Sequence, residues 1–424
     1  MTLMRRLRTI WRNETGNALM IGAFSMPLLI GSAGLAVDTV QLSLWKRQLQ
    51  RAADSAALAG AHARVQGAPA KAAAERDLAY NNALALSEQS IQNAPEEGPF
   101  ANNPQAVRVV LASERPTGFM AYFLPTTPVV RVEATAAVTV TGKFCMIALE
   151  DSTETGVTFT GNTTVDLGCG VATNSRSTAA ISAAGSSSVA ATPLMAVGGV
   201  PASNSYVQPT TLLPYSPKQP NPFADLPLPS PSNCQAERKI NPSSTREEIG
   251  PATADGAVCF NGLDINGPVT LKPGVYYING GNGNNPNSLN LGAQANVIGK
   301  GVTIIFTNTN TNRSPAGLSI HGQAVMDLAA PASGTWGGVL FYQDPRAPAL
   351  NTMTINGTSG SKLEGGMYFP RAHLTFNGNT SMTTECMQLV ARRLTFSGNS
   401  KVRNICDKDS KSQAFDGTQV RLVA

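Results

Sequence analysis

The chain opens on a long apolar stretch. Between Glu14 and Asp38 no residue is charged, and Ala18 to Val37 (ALMIGAFSMPLLIGSAGLAV) is predominantly apolar. About 20 such residues are enough for a helix to cross a bilayer, which predicts a transmembrane helix over 18–37 behind a cytoplasmic stub, 1–17. Pro27 at mid-span is tolerable there, because neighbouring groups in a membrane helix re-satisfy the freed carbonyl. From Leu42 the apolar positions Leu42, Trp45, Leu49, Ala52, Ala56, Ala59 and Ala63 alternate three and four apart. That spacing continues the helix beyond the membrane as an amphipathic one. Its face becomes almost pure alanine (DSAALAGAHA), which permits a close approach either by another molecule or by the helix's own domain. A second helical stretch is expected around Ala72 to Leu86. Strands with period-two alternation follow at Ala106 to Leu111 and Val129 to Val140, separated by prolines at 95, 99, 104, 116, 125 and 128. Residues 38–143 therefore read as an alanine-rich helix plus a small sheet.

Beyond Phe144 the pattern repeats. VTFTGNTTVDLGC from Val157, LTFNGNTSMTTEC from Leu374 and LTFSGNSKVRNIC from Leu394 align without gaps, each with a cysteine twelve residues after its first residue. Weaker copies start at Ile181, Leu263, Leu289, Leu318 and Met353, and the closest spacings between starts are 20, 21, 24 and 26 residues. Such spacings suit one coil of a parallel β-helix, whose turns bury their apolar positions only by stacking. Gly and Asn then occupy the corners, where positive φ is needed. The runs from Gly274, Gly301, Gly338 and Gly366 read as a second strand in each coil. The fold class is thus mainly β: a transmembrane helix, a small α+β domain, and a repetitive β-helix-like domain over 144–406, with a tail at 407–424. An antiparallel β-sandwich fits the strand density as the alternative. Eight prolines within 209–231 predict an extended excursion inside an insertion spanning 201–258.

Charge changes the picture in one place. The net charge is +5, and Arg5, Arg6, Arg8 and Arg12 supply most of the surplus. Placed before the apolar run, these arginines orient the N-terminus to the cytoplasm by the positive-inside rule, although Lys46, Arg47 and Arg51 weaken the asymmetry. Nothing in the charge points to nucleic acid. Charged residues make up 14% of the chain against about 25% for soluble domains, with 39 glycines, as expected of a chain rich in turns and small residues. All six cysteines, Cys145, Cys169, Cys234, Cys259, Cys386 and Cys406, follow the apolar run, which favours disulfides in an oxidising compartment over buried free thiols. Equivalent positions on stacked strands lie within disulfide reach, about 4.8 Å apart, so the repeat predicts 386 with 406 and, one coil apart, 145 with 169, while 234 with 259 would close the loop after the proline-rich run. Gly34-Leu35-Ala36 has the form of a signal-peptide cleavage site. The anchor reading is preferred because the apolar run exceeds the about 7 to 15 residues of a signal core and continues as helix.

The run RNETGNALMIGAFSMPLLIGSAGLAVDTVQLSLWKRQLQRAADSAALAGA resembles the N-terminal domain of TadG-like proteins of the tight-adherence (Flp pilus) assembly system. Gly16, Pro27, Ala36-Val37-Asp38 and the stretch Gln50 to Gly60 carry the resemblance. Pilins and pseudopilins of that system have a Glu five residues after the cleavage Gly, where this chain has Ile21. The resemblance therefore implies an uncleaved inner-membrane anchor with its bulk in the periplasm, working with other pilus assembly proteins or pilins. FCMIALEDSTETG from Phe144, GVYYINGG and GVLFYQD are similar to the C-terminal part of one TadG-like subgroup. Asp151-Ser-Thr-Glu-Thr does not match the metal site that some TadG-like proteins carry, so no metal role transfers.

Candidate chemistry is sparse. Polysaccharide lyases on β-helices need clustered carboxylates with a base, or paired aspartates. Asp264, Asp327 and Asp344 fall on different predicted coils and read as turn residues. His62, His321 and His373 have no zinc-ligand spacing. Gly280-Gly-Asn-Gly283 resembles half of a calcium-binding nonapeptide, but Asn285 stands where that motif has Asp. The expected function is non-catalytic and without cofactor, namely pilus assembly, with lipid contact through 18–37. An exported β-helix adhesin or carbohydrate-active enzyme is the alternative. Three acidic residues on one face would favour the alternative, and a bare Ser/Thr/Asn face would favour assembly.

Overall fold

The computed structural model describes residues 14–242, 245–253, 256–281, 288–348, 352–357, 361–378, 381–404 and 415–424. The chain is mainly β with one long N-terminal helix, and it divides into two units, 1–139 with 420–424 and 140–419.

In the first unit, the apolar run and the alanine-rich seam form one uninterrupted helix, α1 (Glu14–Val65), with Pro27 inside it. A second helix, α2 (Ala70–Asn81), ends earlier than its apolar pattern implies, because the Asn82 side chain bonds to the backbone of Leu84 and turns the chain. Strands β1 (Glu88–Asn93), β2 (Ala106–Glu114) and the start of β3 (Val129–Ala148) form an antiparallel sheet, with Ile91 opposite Val109 and Val109 opposite Ala134. Ala52, Ala53, Ala56, Ala57 and Ala61 of α1 are buried in one cluster with Val107, Val109 and Leu111 of β2 and with Ala70 and Ala74 of α2. The alanine seam therefore serves the helix's own domain. The approach is so close that a Cβ on Gly60 would stand 2.9 Å from Val107 Cγ1. The C-terminus returns to this unit, where Thr135 N donates to Ala424 O and Val423 N donates to Thr135 O.

The second unit is built of short strands that pair in parallel with the strand three further along, in three ladders. One ladder reproduces the sequence repeat residue for residue: Leu263 pairs with Leu289, Met353 with Leu374, Leu374 with Leu394, Leu394 with Val157, and Val157 with Ile181. A second ladder holds Thr164–Asp166, Ser188–Ala190, Asn296–Lys300 and Val325–Ala329. The third holds the glycine-led runs, among them Gly274–Asn279, Val302–Thr307 and Val339–Gln343. The strands thus form three parallel ladders where the pattern of glycine-led runs implied two. The middle strand was hidden inside the repeat copies themselves, after their Gly-Asn corner.

The spatial order of coils differs from their order along the chain. Coils from residue 235 onwards stack upward to Ser381–Gly398, whose Leu394 and Leu389 then pair with Val157 and Met146, the first coil after β3. The stack continues through 181–183 to Leu212–Leu213. The chain enters this stack in the middle, builds one end, and starts again at the other end. The proline-rich segment makes the crossing. Gln219 and Phe223 are buried across the third ladder, with Asn221 Nδ2 donating to Tyr368 Oη at 2.9 Å and Arg346 donating to Pro229 O at 2.6 Å.

The interior is an apolar column. Phe376, Phe396 and Phe159 stack with ring centroids 5.2 and 5.3 Å apart and interplanar angles of 9° and 16°. At the corners the glycine of the motif takes φ near +72° at Gly161, Gly185 and Gly398, a region closed to most side chains. A Cβ at Gly161 would also stand 2.9 Å from Gly398 O on the next coil. The following asparagines do not need positive φ, contrary to the expectation from sequence. Asn162 N and Asn399 N instead donate to the glycine carbonyls of neighbouring coils.

Candidate functional site

Two surfaces are candidates, one in each unit. The first is α1 between Met20 and Val40. Phe24 and Leu28 are 74% and 75% exposed, and Ile21, Leu29 and Ile30 are also open. This run has a hydropathy and length suited to crossing a membrane and has none of its window buried. Burial of apolar surface is the main driving force of folding, so an exposed apolar cylinder of this length needs an apolar environment outside the chain. Ile21 lies on that open surface. The flanking Arg5, Arg6, Arg8 and Arg12 lie outside the described residues.

The apolar run ends at Asp38, which is 3% exposed. Its Oδ1 accepts from Gly118 N at 3.0 Å, and its Oδ2 accepts from Phe119 N at 2.7 Å and Met120 N at 2.6 Å. A carboxylate gathering three backbone donors is a strong tie, because hydrogen bonds to charged groups are worth about 1.5–3 kcal/mol each. It fastens the β2–β3 connection to α1 at the point where the apolar stretch stops. The sequence marks Asp38 as the first charge after the span and as part of the Ala36-Val37-Asp38 motif, but gives no sign of its partners eighty residues on.

The second surface is the outer side of the repeat ladder. Because side chains alternate across a strand, the residues between the buried apolar ones form a continuous outer row: Lys239, Asp264, Asn290, Ser319, Thr354, Thr375, Thr395, Thr158 and Ser182, each paired in register with the next. The row is partly exposed throughout. Seven of its nine members are Ser, Thr or Asn and the other two are Lys239 and Asp264, so it presents hydroxyls and amides at strand spacing without an acidic cluster.

The candidate catalytic groups are scattered. Asp264 lies on the repeat ladder, Asp327 on the second ladder in an ion pair with Lys300 at 2.7 Å, and Asp344 just past a third-ladder strand, buried against Thr307 Oγ1 and Arg346. The three carboxylates therefore belong to three different ladders. His62 is in α1, His321 accepts from Gln323 N in a turn, and His373 contacts Thr395 Oγ1 at 2.8 Å. Among the described residues no group of three His, Cys, Asp or Glu is placed to hold a metal ion. Asn282, Gly283 and Asn285 of the glycine-asparagine motif lie outside the described residues.

A buried charged cluster joins distant parts of the second unit. Glu150, 3% exposed, accepts from Arg393 Nε at 2.5 Å and pairs with Arg392 Nε at 3.1 Å. Burial pushes its carboxyl up, but the hydrogen bonds from Arg393 and Ser152 and the charges of both arginines outweigh that and hold it below the usual range. These groups join coil 144–150 to coil 389–393, the seam where the chain's later coils meet its first. The tight sequence separation that usually signals an ion pair is absent here, so sequence reasoning missed it.

Cys145 and Cys169 stand at disulfide distance with Cα atoms 5.9 Å apart, as do Cys234 and Cys259 at 4.4 Å. Of Cys386 only the backbone is described, and Cys406 is outside the described residues.

Residues 16–64 match the family model described as "Putative Flp pilus-assembly TadE/G-like". No curated protein and no solved structure matches the chain. The matched stretch takes in both the exposed apolar part of α1 and the buried alanine face.

Proposed function

We propose that this chain is a non-catalytic, inner-membrane-anchored assembly protein of the Flp (Tad) pilus, which crosses the membrane once through 18–37 and presents a parallel β-helix in the periplasm to pilins or other assembly proteins. The observation that carries this reading is the coincidence of the family match at 16–64 with an exposed apolar run. Arg5, Arg6, Arg8 and Arg12 support a cytoplasmic N-terminus. The three-strand parallel register supports the β-helix. The Ser/Thr/Asn row favours an interaction surface over a carbohydrate-cleaving site, which would need carboxylates brought together. An open row of small polar groups offers a partner flat backbone-level contact and many weak hydrogen bonds, suited to transient docking during assembly.

The test is co-purification of the tagged full chain from membranes of a host that makes the pilus, beside a Thr375→Glu, Thr395→Glu double variant. Recovery of pilus proteins with the parent and their loss with the variant, at equal membrane levels of both, is the expected result. Recovery of no pilus component by either chain, together with normal piliation of cells lacking the protein, would overturn it.

A further inference from the structure

The connection between β2 and β3 carries a cluster of apolar side chains that its own unit does not bury. Tyr122 is 85% exposed, Phe123 71% and Leu124 44%. The segment is nonetheless ordered by three devices. The Asp38 carboxylate holds the amides of Gly118, Phe119 and Met120. Met120–Tyr122 form a turn of 3-10 helix, and Phe119 and Phe123 rest on each other with centroids 5.3 Å apart. The Phe119 ring packs against α1, so close to Gly34 that a Cβ there would meet its Cγ at 2.6 Å, while a Cβ on Gly31 would stand 3.6 Å from Cζ. The segment is thus tied down at several points while it displays two aromatic rings and a leucine.

Its position says what covers it. At about 1.5 Å per residue, Gly34 and Gly31 lie roughly 6 and 10 Å before Asp38 along the helix, inside the apolar run. Those depths match the about 5 to 10 Å to which interfacial segments bury their apolar faces, and Tyr and Phe next to a spanning helix suit the interfacial layer, where a ring finds apolar chains and a hydroxyl finds water. On the helix beside Asp38, Val37 and Val40 are exposed as well, at 56% and 58%. We propose that the segment 117–124 is a second membrane contact, seated in the interfacial layer of the leaflet from which α1 emerges, with Tyr122, Phe123 and Leu124 among the headgroups and upper acyl chains. It gives the anchor two points of attachment, so that the first unit is held at a set angle to the membrane instead of swivelling on a single helix.

This inference rests on the reading of α1 as a membrane span, and the experiment separates the two. The full chain is reconstituted in phosphatidylcholine and phosphatidylglycerol nanodiscs with brominated lipids, the bromines placed either near the ester carbonyls or near the chain ends. Three proteins are compared: the parent, Phe123→Trp, and Phe24→Trp as a probe of the span, the emission of the native tryptophans being subtracted. The expected result is that Phe24→Trp is quenched most by bromines near the chain ends, while the added emission of Phe123→Trp is blue-shifted and at least halved by bromines near the carbonyls. Quenching of Phe24→Trp with none of Phe123→Trp would overturn the second contact and leave the anchor standing. Quenching of neither would overturn the anchor, and the second contact with it.

Discussion

Replacing Phe396 by Ala removes the central ring of a stack of three. Phe396 is fully buried, and its neighbours Phe376 and Phe159 are each held in register with it on adjacent strands. Both neighbours are held by the backbone pairing of the same ladder, so the space left by the ring has little freedom to close. Phe→Ala in such a setting costs about 3–5 kcal/mol. Two stacked contacts are lost as well, each worth about 0.5–1.5 kcal/mol beyond area, which places the expected loss near the top of that range. At about 2–4 °C per kcal/mol for a unit of this size, the melting temperature should fall by roughly 6–20 °C. The site also joins the coil at 394–398 to the coil at 157–161, residues 237 apart in sequence for the two rings, so the damage should open the stack in its middle. The assay is thermal unfolding of the full chain in detergent, followed by circular dichroism in the strand region, with Phe396→Leu alongside. Leucine keeps most of the volume and should cost about 1–1.5 kcal/mol. A melting temperature for Phe396→Ala within a degree or two of the parent, or no difference between the two variants, would refute the inward-facing ladder.

Asp38→Ala should free the amides of residues 118–120, at a local cost of about 2–3 kcal/mol, and so speed their hydrogen exchange roughly 30- to 150-fold; unchanged protection there would count against the clamp. Stability should fall on acidification in two steps. His373 is held below the ordinary histidine range by burial and then by the Arg393 charge, so its contribution is present above about pH 6.5 and lost as pH falls through that value. Glu150, held below the carboxylate range, contributes above about pH 4.5 and less below it, so in melting curves taken against pH, His373→Gln should flatten the upper step and Glu150→Gln the lower. Non-reducing peptide mapping should find Cys145 with Cys169, Cys234 with Cys259 and Cys386 with Cys406, and the loss of either of the first two bonds, which close loops of 24 and 25 residues, should cost about 3–4 kcal/mol; a bond from Cys386 to Cys145 would break the repeat alignment.

Sequence by itself determined what depends on local pattern. The apolar length between Glu14 and Asp38, the period-two strands of the small sheet, and the repeat register from Val157, Leu374 and Leu394 were all legible, because each coil must put an apolar residue at the same inward position to bury it. Only the tertiary structure decided features made by residues far apart in the chain. It showed that the alanine seam of α1 packs on its own sheet, since pattern identifies a small-residue face but not what lies against it. It placed the Val157 coil beside the Leu394 coil: likeness of sequence says two coils share a shape, while adjacency is set by how the proline-rich segment carries the chain back along the stack. It also brought Asp38 to the amides of residues 118–120, eighty residues on, and Glu150 to Arg392 and Arg393. Such partners leave no spacing signal, because the energy of an ion pair or a capped turn depends on distance in space, and the chain between them is free to vary.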